Sequence, residues 1–184
     1  GLPEDVMLVV DQAYAEFSDP MQDPTEVFAL VNRGDTVVMR TFSKAYGLAG
    51  ARVGWGYFPP EIACEVRKLL NPNNISIVSQ VVAAAAMRDQ AHMRDVVAKT
   101  AEIRDRFATD CRALGVTVPD SHTNFVLLQF ASNDQAQQVD AALRAENLLM
   151  RGMGGYGLSA CLRATICTPQ IMTRAHDVLK GILT

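Results

Sequence analysis

The sequence lacks a hydrophobic run of the roughly 20 residues that a membrane-spanning helix requires. It also lacks a surplus of positive charge, because 17 lysines and arginines stand against 20 aspartates and glutamates, for a formal net charge of −3. Proteins that bind nucleic acid or membrane surfaces carry basic patches, so we expect neither partner. The opening residues, GLPEDVMLVV, have no basic stretch before the apolar ones, which argues against a secretory signal.

Cysteine is scarce, and the four cysteines form no C-x-x-C pair. This spacing disfavours a zinc site and predicts buried free thiols in a reducing, cytoplasmic compartment. The three histidines, His92, His122 and His176, are scattered and are interpreted as surface or helix residues. We therefore predict no metal site. The cysteines are Cys64, Cys111, Cys161 and Cys167.

In the first part of the chain, predicted strands alternate with predicted helices. Strands are predicted at 6–10, 35–42 and 51–58, and helices at 23–34, 59–70 and 76–89. The strand at 6–10 and the helix at 76–89 are so apolar that we expect both to be buried. This alternation is typical of an α/β fold with a mostly parallel sheet covered by helices on both faces.

The rest of the chain predicts a small α+β domain. Its first element is a long amphipathic helix, 90–114, which links the two domains. Strands are predicted at 115–118, 124–130, 148–151 and 161–166, and helices at 134–146 and 169–183. The predicted domains are thus 1–89, part of a large domain, and 90–184, a small C-terminal domain.

Asp11 and Tyr14 follow the first predicted strand. The carboxyl ends of strands in open α/β sheets are where such folds bind ligands. An acid there is either part of a binding site or the cap of the next turn. Tyr14 adds a second hydrogen-bonding group near the same crevice.

The stretch TFSKAYGLAGARVG, residues 41–54, follows another predicted strand and places Lys44 among apolar neighbours. Such surroundings favour the neutral amine, which is the nucleophilic form. Two glycines permit a sharp turn that brings Arg52 beside the hydroxyls of Thr41 and Ser43, a combination suited to a phosphate. Taken singly, an exposed loop lysine and an arginine paired with a surface acid are the alternatives.

Together these groups meet the needs of pyridoxal 5'-phosphate, which requires an amine, an acid for its ring nitrogen, a donor for its ring oxygen and a phosphate cage. The motifs DQAYAEF and TFSKAYGLAGARVGW resemble the aspartate and lysine motifs of fold-type I, class I and II aminotransferases. They are most similar to those of histidinol-phosphate aminotransferases. The resemblance extends over most of the chain, and S-K-x-x-x-L-A-G-x-R is its most specific pattern.

The resemblance implies a role for each of these residues. Lys44 would hold the cofactor covalently and, once released, move a proton at the substrate's α-carbon as a general acid–base. Asp11 would pair with the pyridine nitrogen, and Tyr14 with the phenolic oxygen. The phosphate would be held by Thr41, Ser43 and Arg52.

The late segment LLMRGMGGYGLSACLRATIC places Arg151 and Arg163 at the ends of neighbouring predicted strands. In the family, the arginine that matches Arg163 binds an acidic group of the substrate. The one that matches Arg151 helps histidinol-phosphate enzymes hold the substrate phosphate. For Arg151, a salt bridge at the rim is the alternative, and Asn124 is interpreted as structural.

The implied reaction is transamination of an amino acid or amino-alcohol phosphate with 2-oxoglutarate, in histidine biosynthesis, by a homodimer. The sequence also departs from the histidinol-phosphate pattern. Gly152 stands where the family usually has proline, and LLNPNNIS and ICTPQIM depart from its usual motifs. An aromatic amino acid aminotransferase and a threonine-phosphate decarboxylase-like enzyme therefore stay open as alternatives.

Complete members of the family are roughly twice this length. The resemblance therefore implies that the chain is a C-terminal half that begins inside the large domain, with 6–10 as a central strand without its neighbours. We expect it to be inactive alone and to need the N-terminal half of the same enzyme as a partner.

One further motif, GMGGYG at 152–157, fits the dinucleotide-binding pattern G-x-G-x-x-G. That fingerprint opens a helix directly after a strand, whereas here the following residues lead into a strand. We therefore interpret it as a loop without a dinucleotide.

Overall fold

The computed structural model describes residues 2–3, 5–18 and 25–184. Its internal contacts divide the chain into two units, Gly1–Val97 and Ala98–Thr184. Helix α4, Gln90–Ala113, begins in the first unit and ends in the second. The predicted division between residues 89 and 90 falls at the start of this helix and stays a prediction.

The first unit is built on a three-stranded sheet in the order β1-β2-β3. The strands are Leu8–Asp11, Thr36–Thr41 and Gly54–Tyr57. β1 and β2 are parallel, with Asp11 opposite Met39, and β3 is antiparallel to β2. The parallel pair brings the carboxyl ends of β1 and β2 to one edge of the sheet.

Three helices accompany this sheet: α1, Phe28–Val31; α2, Pro60–Leu69; and α3, Ile77–Arg88. Proline stands in the first turn of α2, where its missing N–H costs no hydrogen bond. Ser76 caps α3 by accepting a hydrogen bond from the Ser79 N–H at 3.1 Å. The helix predicted at 23–34 is reduced to α1, and its predicted start at 23–24 lies outside the described residues.

The prediction that the first strand and the helix at 76–89 are fully buried is wrong. Val9 of β1 is 53% exposed, and Ile77 and Val81 of α3 are 78% and 64% exposed. Ala83 is the one described residue of α3 that is buried. An apolar sequence is buried only where a second layer covers it, and no described element of this unit covers these side chains.

The second unit contains an antiparallel sheet in the order β4-β6-β5, as an α+β domain requires. Its strands are Phe125–Gln129 (β4), Arg151–Gly152 (β5) and Cys161–Thr165 (β6). Its helices are α5, Asn133–Ala145, and α6, Pro169–Leu183. Short 3-10 turns lie at Ala15–Phe17, Ala49–Ala51 and Gly154–Tyr156.

Two predicted strands of this unit are wrong. Residues 115–118 form a single bridge, between Thr117 and Gln129, because Pro119 offers no N–H to extend the ladder. At 148–151, the Leu148 N–H closes helix α5 by donating to the Leu143 carbonyl at 2.8 Å. That bond uses a group that a strand would need, so β5 begins only at Arg151.

The second unit encloses its own hydrophobic core. Phe107 of α4, Leu128 of β4, Leu143 of α5 and Leu179 of α6 belong to one cluster of buried side chains. The last three are completely inaccessible to solvent. Burying each such side chain contributes roughly 1.5–3 kcal/mol, so the fold of this unit rests on these helix–sheet contacts.

The four cysteines divide into two classes. Cys111 and Cys161 are buried, as predicted, but Cys64 and Cys167 are exposed, so the prediction of buried thiols is wrong for those two. Burial, with a smaller contribution from Asp110, raises the pKa of the Cys111 thiol to about 12. In the part of the chain that the structure describes, no helix is both long and apolar enough to cross a bilayer.

Candidate functional site

An open cleft of about 360 Å³ lies at the carboxyl ends of β1 and β2. Because the two strands are parallel, the residues that follow them meet at one edge of the sheet. The cleft therefore collects side chains from positions far apart in sequence. Its lining residues are Asp11, Ala13, Met39, Arg40, Thr41, Ser43, Lys44 and Arg52.

The acid side of the cleft is formed by the end of β1. One carboxylate oxygen of Asp11 accepts a hydrogen bond from the Ala13 N–H at 3.0 Å, which holds the side chain in the turn after the strand. Tyr14 follows in that turn and is half-buried. The Lys44 ammonium nitrogen lies 5.1 Å from the centre of the Tyr14 ring, within the range of a cation–π contact.

The loop that follows β2 presents Lys44 to the cleft. Its neighbours Phe42 and Ala45 are buried, at 6% and 1% exposure, and anchor the loop to the unit. The Gly47 N–H donates to the Lys44 carbonyl at 2.9 Å, and Gly47 has a φ of +69°, which glycine adopts without steric cost. The Ser43 N–H donates to the Thr41 hydroxyl at 3.0 Å, so both hydroxyl residues belong to the same turn.

The loop ends at Arg52, which has an unusual backbone conformation. Its φ of 55° and ψ of 44° lie in the left-handed region, where residues with a Cβ are uncommon. Its guanidinium donates to the Ala49 carbonyl at 2.8 Å and stays exposed at the cleft. Uncommon backbone conformations of this kind cluster at ligand-binding positions.

The cleft thus brings together an amine, a carboxylate, two hydroxyls and a guanidinium, and a phenol lies beside the amine. These are the groups that pyridoxal 5'-phosphate requires for its aldehyde, ring nitrogen, phosphate and ring oxygen. The donor set therefore fits that cofactor. The structure brings six predicted residues to one place, namely Asp11, Tyr14, Thr41, Ser43, Lys44 and Arg52.

The two predicted arginines of the second unit lie on neighbouring strands. Arg151 of β5 stands directly opposite Arg163 of β6, so both side chains leave the same face of the sheet. The Arg163 guanidinium lies 4.9 Å from the centre of the Phe125 ring, and its buried Nε has no hydrogen-bond partner in the described part of the chain. Arg151 donates to the Tyr156 hydroxyl at 3.1 Å. Two opposed cations with an unfilled donor form a basic surface suited to an anion.

Sequence reasoning missed several residues of these sites. Arg40 lines the cleft and contacts Gln12 and Glu16, and Tyr156 orients Arg151. A charged residue inside the apolar run TVVMRT was the signal for Arg40. Tyr156 gave no signal of its own, because its partner becomes a neighbour only through the turn at Gly154–Tyr156.

Comparison with known proteins identifies the family of this arrangement. The family model described as aminotransferase class I and II matches residues 3–179. Histidinol-phosphate aminotransferase of Rhodospirillum centenum is 41% identical over 181 residues, which are 97% of this chain and 50% of the relative. The chain spans about half the length of the curated relatives that it matches.

The fold of the chain is similar to that of solved aminotransferase structures. Histidinol-phosphate aminotransferase from Sinorhizobium meliloti, in complex with pyridoxal-5'-phosphate, superimposes with a TM-score of 0.89 at 30% identity. The match covers 99% of this chain and 50% of that one. L-threonine-O-3-phosphate decarboxylase from Porphyromonas gingivalis has a TM-score of 0.83 at 24% identity, covering 97% of this chain and 55% of that one. That second likeness shows the α/β fold alone.

Proposed function

The chain belongs to the class I and II aminotransferases, and on this premise we propose that its first unit binds pyridoxal 5'-phosphate for transamination. The observation that carries the proposal is the convergence of Asp11, Lys44 and Arg52 on one cleft. These three residues come from two parallel strand ends and the turn before β3. Lys44 and Arg52 share one motif, and the parallel pairing of β1 with β2 brings Asp11 to them.

In this proposal, each residue acts from its observed position. Lys44 supplies the amine that holds the cofactor and, when released, carries a proton to and from the substrate's α-carbon. Asp11 keeps the ring nitrogen protonated, and Tyr14 donates to the ring oxygen. When bound, the cofactor accepts the electrons of the bond broken at the α-carbon. The phosphate is held by Thr41, Ser43 and Arg52.

For the amino substrate, we propose histidinol phosphate, with 2-oxoglutarate as the amino acceptor. Identity of about 40% to histidinol-phosphate aminotransferases supports this choice. So does the pair Arg151 and Arg163, because like charges directly opposite each other are unfavourable until an anion lies between them. Both substrates carry such anions, as a phosphate or as carboxylates.

We also propose that the active enzyme contains a further polypeptide segment and a second subunit. Exposed apolar side chains on the first unit support this, since large exposed apolar patches mark interaction sites. Val9 of β1 and Ile77, Val78 and Val81 of α3 are all more than half exposed. A segment equivalent to the rest of the relatives' length, or the second subunit, would cover them.

The cofactor proposal is tested by adding pyridoxal 5'-phosphate, reducing with borohydride and mapping the labelled peptides. The sequence has four lysines, so the map has few candidate sites. We expect label on Lys44, its loss in Lys44→Ala, and no loss in Lys68→Ala, since Lys68 is an exposed helix residue paired with Glu65. Label spread evenly over the lysines would contradict the proposal.

The reaction itself is tested by product analysis with histidinol phosphate and 2-oxoglutarate. We measure it on the chain alone and after addition of a polypeptide that carries the remaining length of a relative. A keto product with glutamate supports transamination. An amine with carbon dioxide from threonine phosphate identifies a decarboxylase instead, and turnover of aromatic amino acids alone identifies the other open substrate class.

A further inference from the structure

Arg40 is a charged side chain in the interior of β2, with apolar residues before it. Its side chain is only 14% exposed, and that of its acidic neighbour Glu16 is 9% exposed. Burying two charges costs desolvation free energy, and the attraction between the two charges seldom offsets that cost fully. A buried pair of this kind therefore calls for a role beyond general stability.

The contacts of Arg40 reach both ends of one short segment. Its Nε donates to the Gln12 side-chain oxygen at 3.0 Å, and its Nη1 lies 4.0 Å from a Glu16 carboxylate oxygen. Gln12 directly follows Asp11, and Tyr14 lies midway between the two contacted residues. The Arg40 guanidinium is thus connected to the segment on both sides of Tyr14.

The guanidinium is itself held from the other elements of the unit. It lies 5.0 Å from the centre of the Phe28 ring of α1 and 5.6 Å from that of Trp55 of β3. The two rings are 5.9 Å apart and tilted by 51°, and both lie within cation–π range of the same guanidinium. Arg40 therefore connects α1, β3 and the segment 12–16 to the central strand.

We propose that Arg40 is a positioning residue, which fixes the segment 12–16 and thereby sets where Asp11 and Tyr14 lie relative to Lys44. This inference rests on the proposed function, because it assigns Arg40 a purpose through residues that hold the cofactor. Arg40 acts through Gln12 and Glu16, and it is not itself given a catalytic step.

The chemistry of the side chain explains why arginine suits this position. A planar guanidinium can stack on rings through its face while its edge donates hydrogen bonds in two directions. A lysine ammonium keeps the charge but lacks the flat face that contacts rings and the paired N–H donors of a guanidinium edge. The charge matters as well, because burial raises the pKa of Glu16 and the Arg40 charge acts against that rise.

The first test measures hydrogen–deuterium exchange on the full chain. The variants are Arg40→Met, Arg40→Lys and the control Arg33→Met, which removes an exposed arginine paired with Asp35 in the same unit. We expect peptides covering 12–17 to exchange about tenfold faster in Arg40→Met, less so in Arg40→Lys, and unchanged in the control. Peptides covering β6 should not change in any variant.

Unchanged exchange at 12–17 in both Arg40 variants would overturn the inference. If Arg40→Met does not fold, Arg40→Lys decides, because it keeps the charge that Glu16 requires. Faster exchange throughout the first unit of Arg40→Lys, with no excess at 12–17, also overturns it, since that result describes a general stabiliser.

The second test measures pyridoxal 5'-phosphate labelling of Lys44 against cofactor concentration, together with the pH dependence of the absorption band. In Arg40→Lys we expect half-saturation at about fivefold higher concentration and a displaced pH midpoint, because the groups around the ring are less well fixed. If half-saturation and the pH midpoint are unchanged in Arg40→Lys while exchange at 12–17 is faster, the proposal that Arg40 positions the cofactor-binding residues is refuted. If the wild-type chain does not label Lys44 either alone or with a polypeptide that carries the remaining length of a relative, the proposed function fails, and exchange alone decides whether Arg40 holds the segment.

Discussion

The backbone of Arg52 permits a quantitative test of how the cleft is built. Its φ of 55° lies in the left-handed region, which costs an L-residue roughly 1–2 kcal/mol. Glycine adopts this conformation without that cost. We predict that Arg52→Gly unfolds at higher denaturant concentration than Arg52→Ala, although glycine usually destabilises a protein relative to alanine.

The comparison of these two variants isolates the backbone contribution. Both lose the guanidinium and its 2.8 Å hydrogen bond to the Ala49 carbonyl, so those losses cancel. Alanine keeps the Cβ and with it the cost of roughly 1–2 kcal/mol. Against this, the greater freedom of glycine in the unfolded chain destabilises the folded Arg52→Gly variant by about 0.5–1 kcal/mol relative to alanine. The difference left in favour of glycine is centred on about 0.75 kcal/mol and spans about 0–1.5 kcal/mol.

The assay is urea unfolding followed by tryptophan fluorescence. The chain has one tryptophan, Trp55, three residues from the substituted position, so its signal reports on the first unit. Asn147 provides a matched pair in the second unit, since its φ is 57°. The free energy of unfolding of Asn147→Gly, measured by circular dichroism, should likewise exceed that of Asn147→Ala. Neither substitution should change cofactor labelling.

The same two Arg52 variants test the phosphate contact. A hydrogen bond to a charged group contributes roughly 1.5–3 kcal/mol, so both variants should need at least about tenfold more pyridoxal 5'-phosphate to label Lys44. Equal stability of the two variants would refute the strain argument. Labelling at the wild-type concentration in both would refute the phosphate role of Arg52, whatever their stabilities.

Three further predictions follow from other residues. Burial raises the pKa of Glu16 in the folded state, so the stability contributed by its neutral form is present below its ordinary value of 4.5 and is lost as pH rises through the raised value. The free energy of unfolding of Glu16→Gln, minus that of wild type, should therefore increase as pH rises from 4.5 through the raised pKa. A difference that is constant with pH would contradict this. At pH 8, a thiol reagent should label Cys64 quickly and Cys111 only after denaturation, because Cys111 is buried with a pKa raised to about 12. Phosphate at ten times its dissociation constant should stabilise the wild type by about 1.4 kcal/mol in thermal unfolding. It should stabilise Arg144→Gln equally and Arg163→Gln much less; equal stabilisation of all three would count against the anion site.

The strand-end residues could be predicted because a topological rule connects their sequence position to their place. Asp11 and Lys44 each follow a predicted strand, and in an open sheet those ends meet. The local pattern also located Arg52, since the turn before it is marked by glycines. These predictions needed no knowledge of side-chain packing.

Other features depended on information that the sequence pattern does not carry. A charge inside an apolar strand marks Arg40 in the sequence, but its partners Gln12, Phe28 and Trp55 are known only once the sheet brings them around it. The exposure of α3 was mispredicted because an apolar helix indicates that its surface is covered in the native protein but does not identify the segment or subunit that covers it. The strand at 115–118 was mispredicted because one missing N–H, at Pro119, outweighed the β propensity of its neighbours.

The two units differ in how they bury their apolar side chains, and this difference bears on function. The second unit closes a core around Leu128, Leu143 and Leu179, with helices on its sheet. In the first unit, among the described residues, Val9 of β1 and Ile77 of α3 stay largely exposed. The unit that carries the cleft is therefore the one whose apolar surface gains most from association. Covering these side chains stabilises β1, which ends at the cleft, and α3, which contacts the turn at Ala49–Ala51 before Arg52, so association and cofactor binding should strengthen each other.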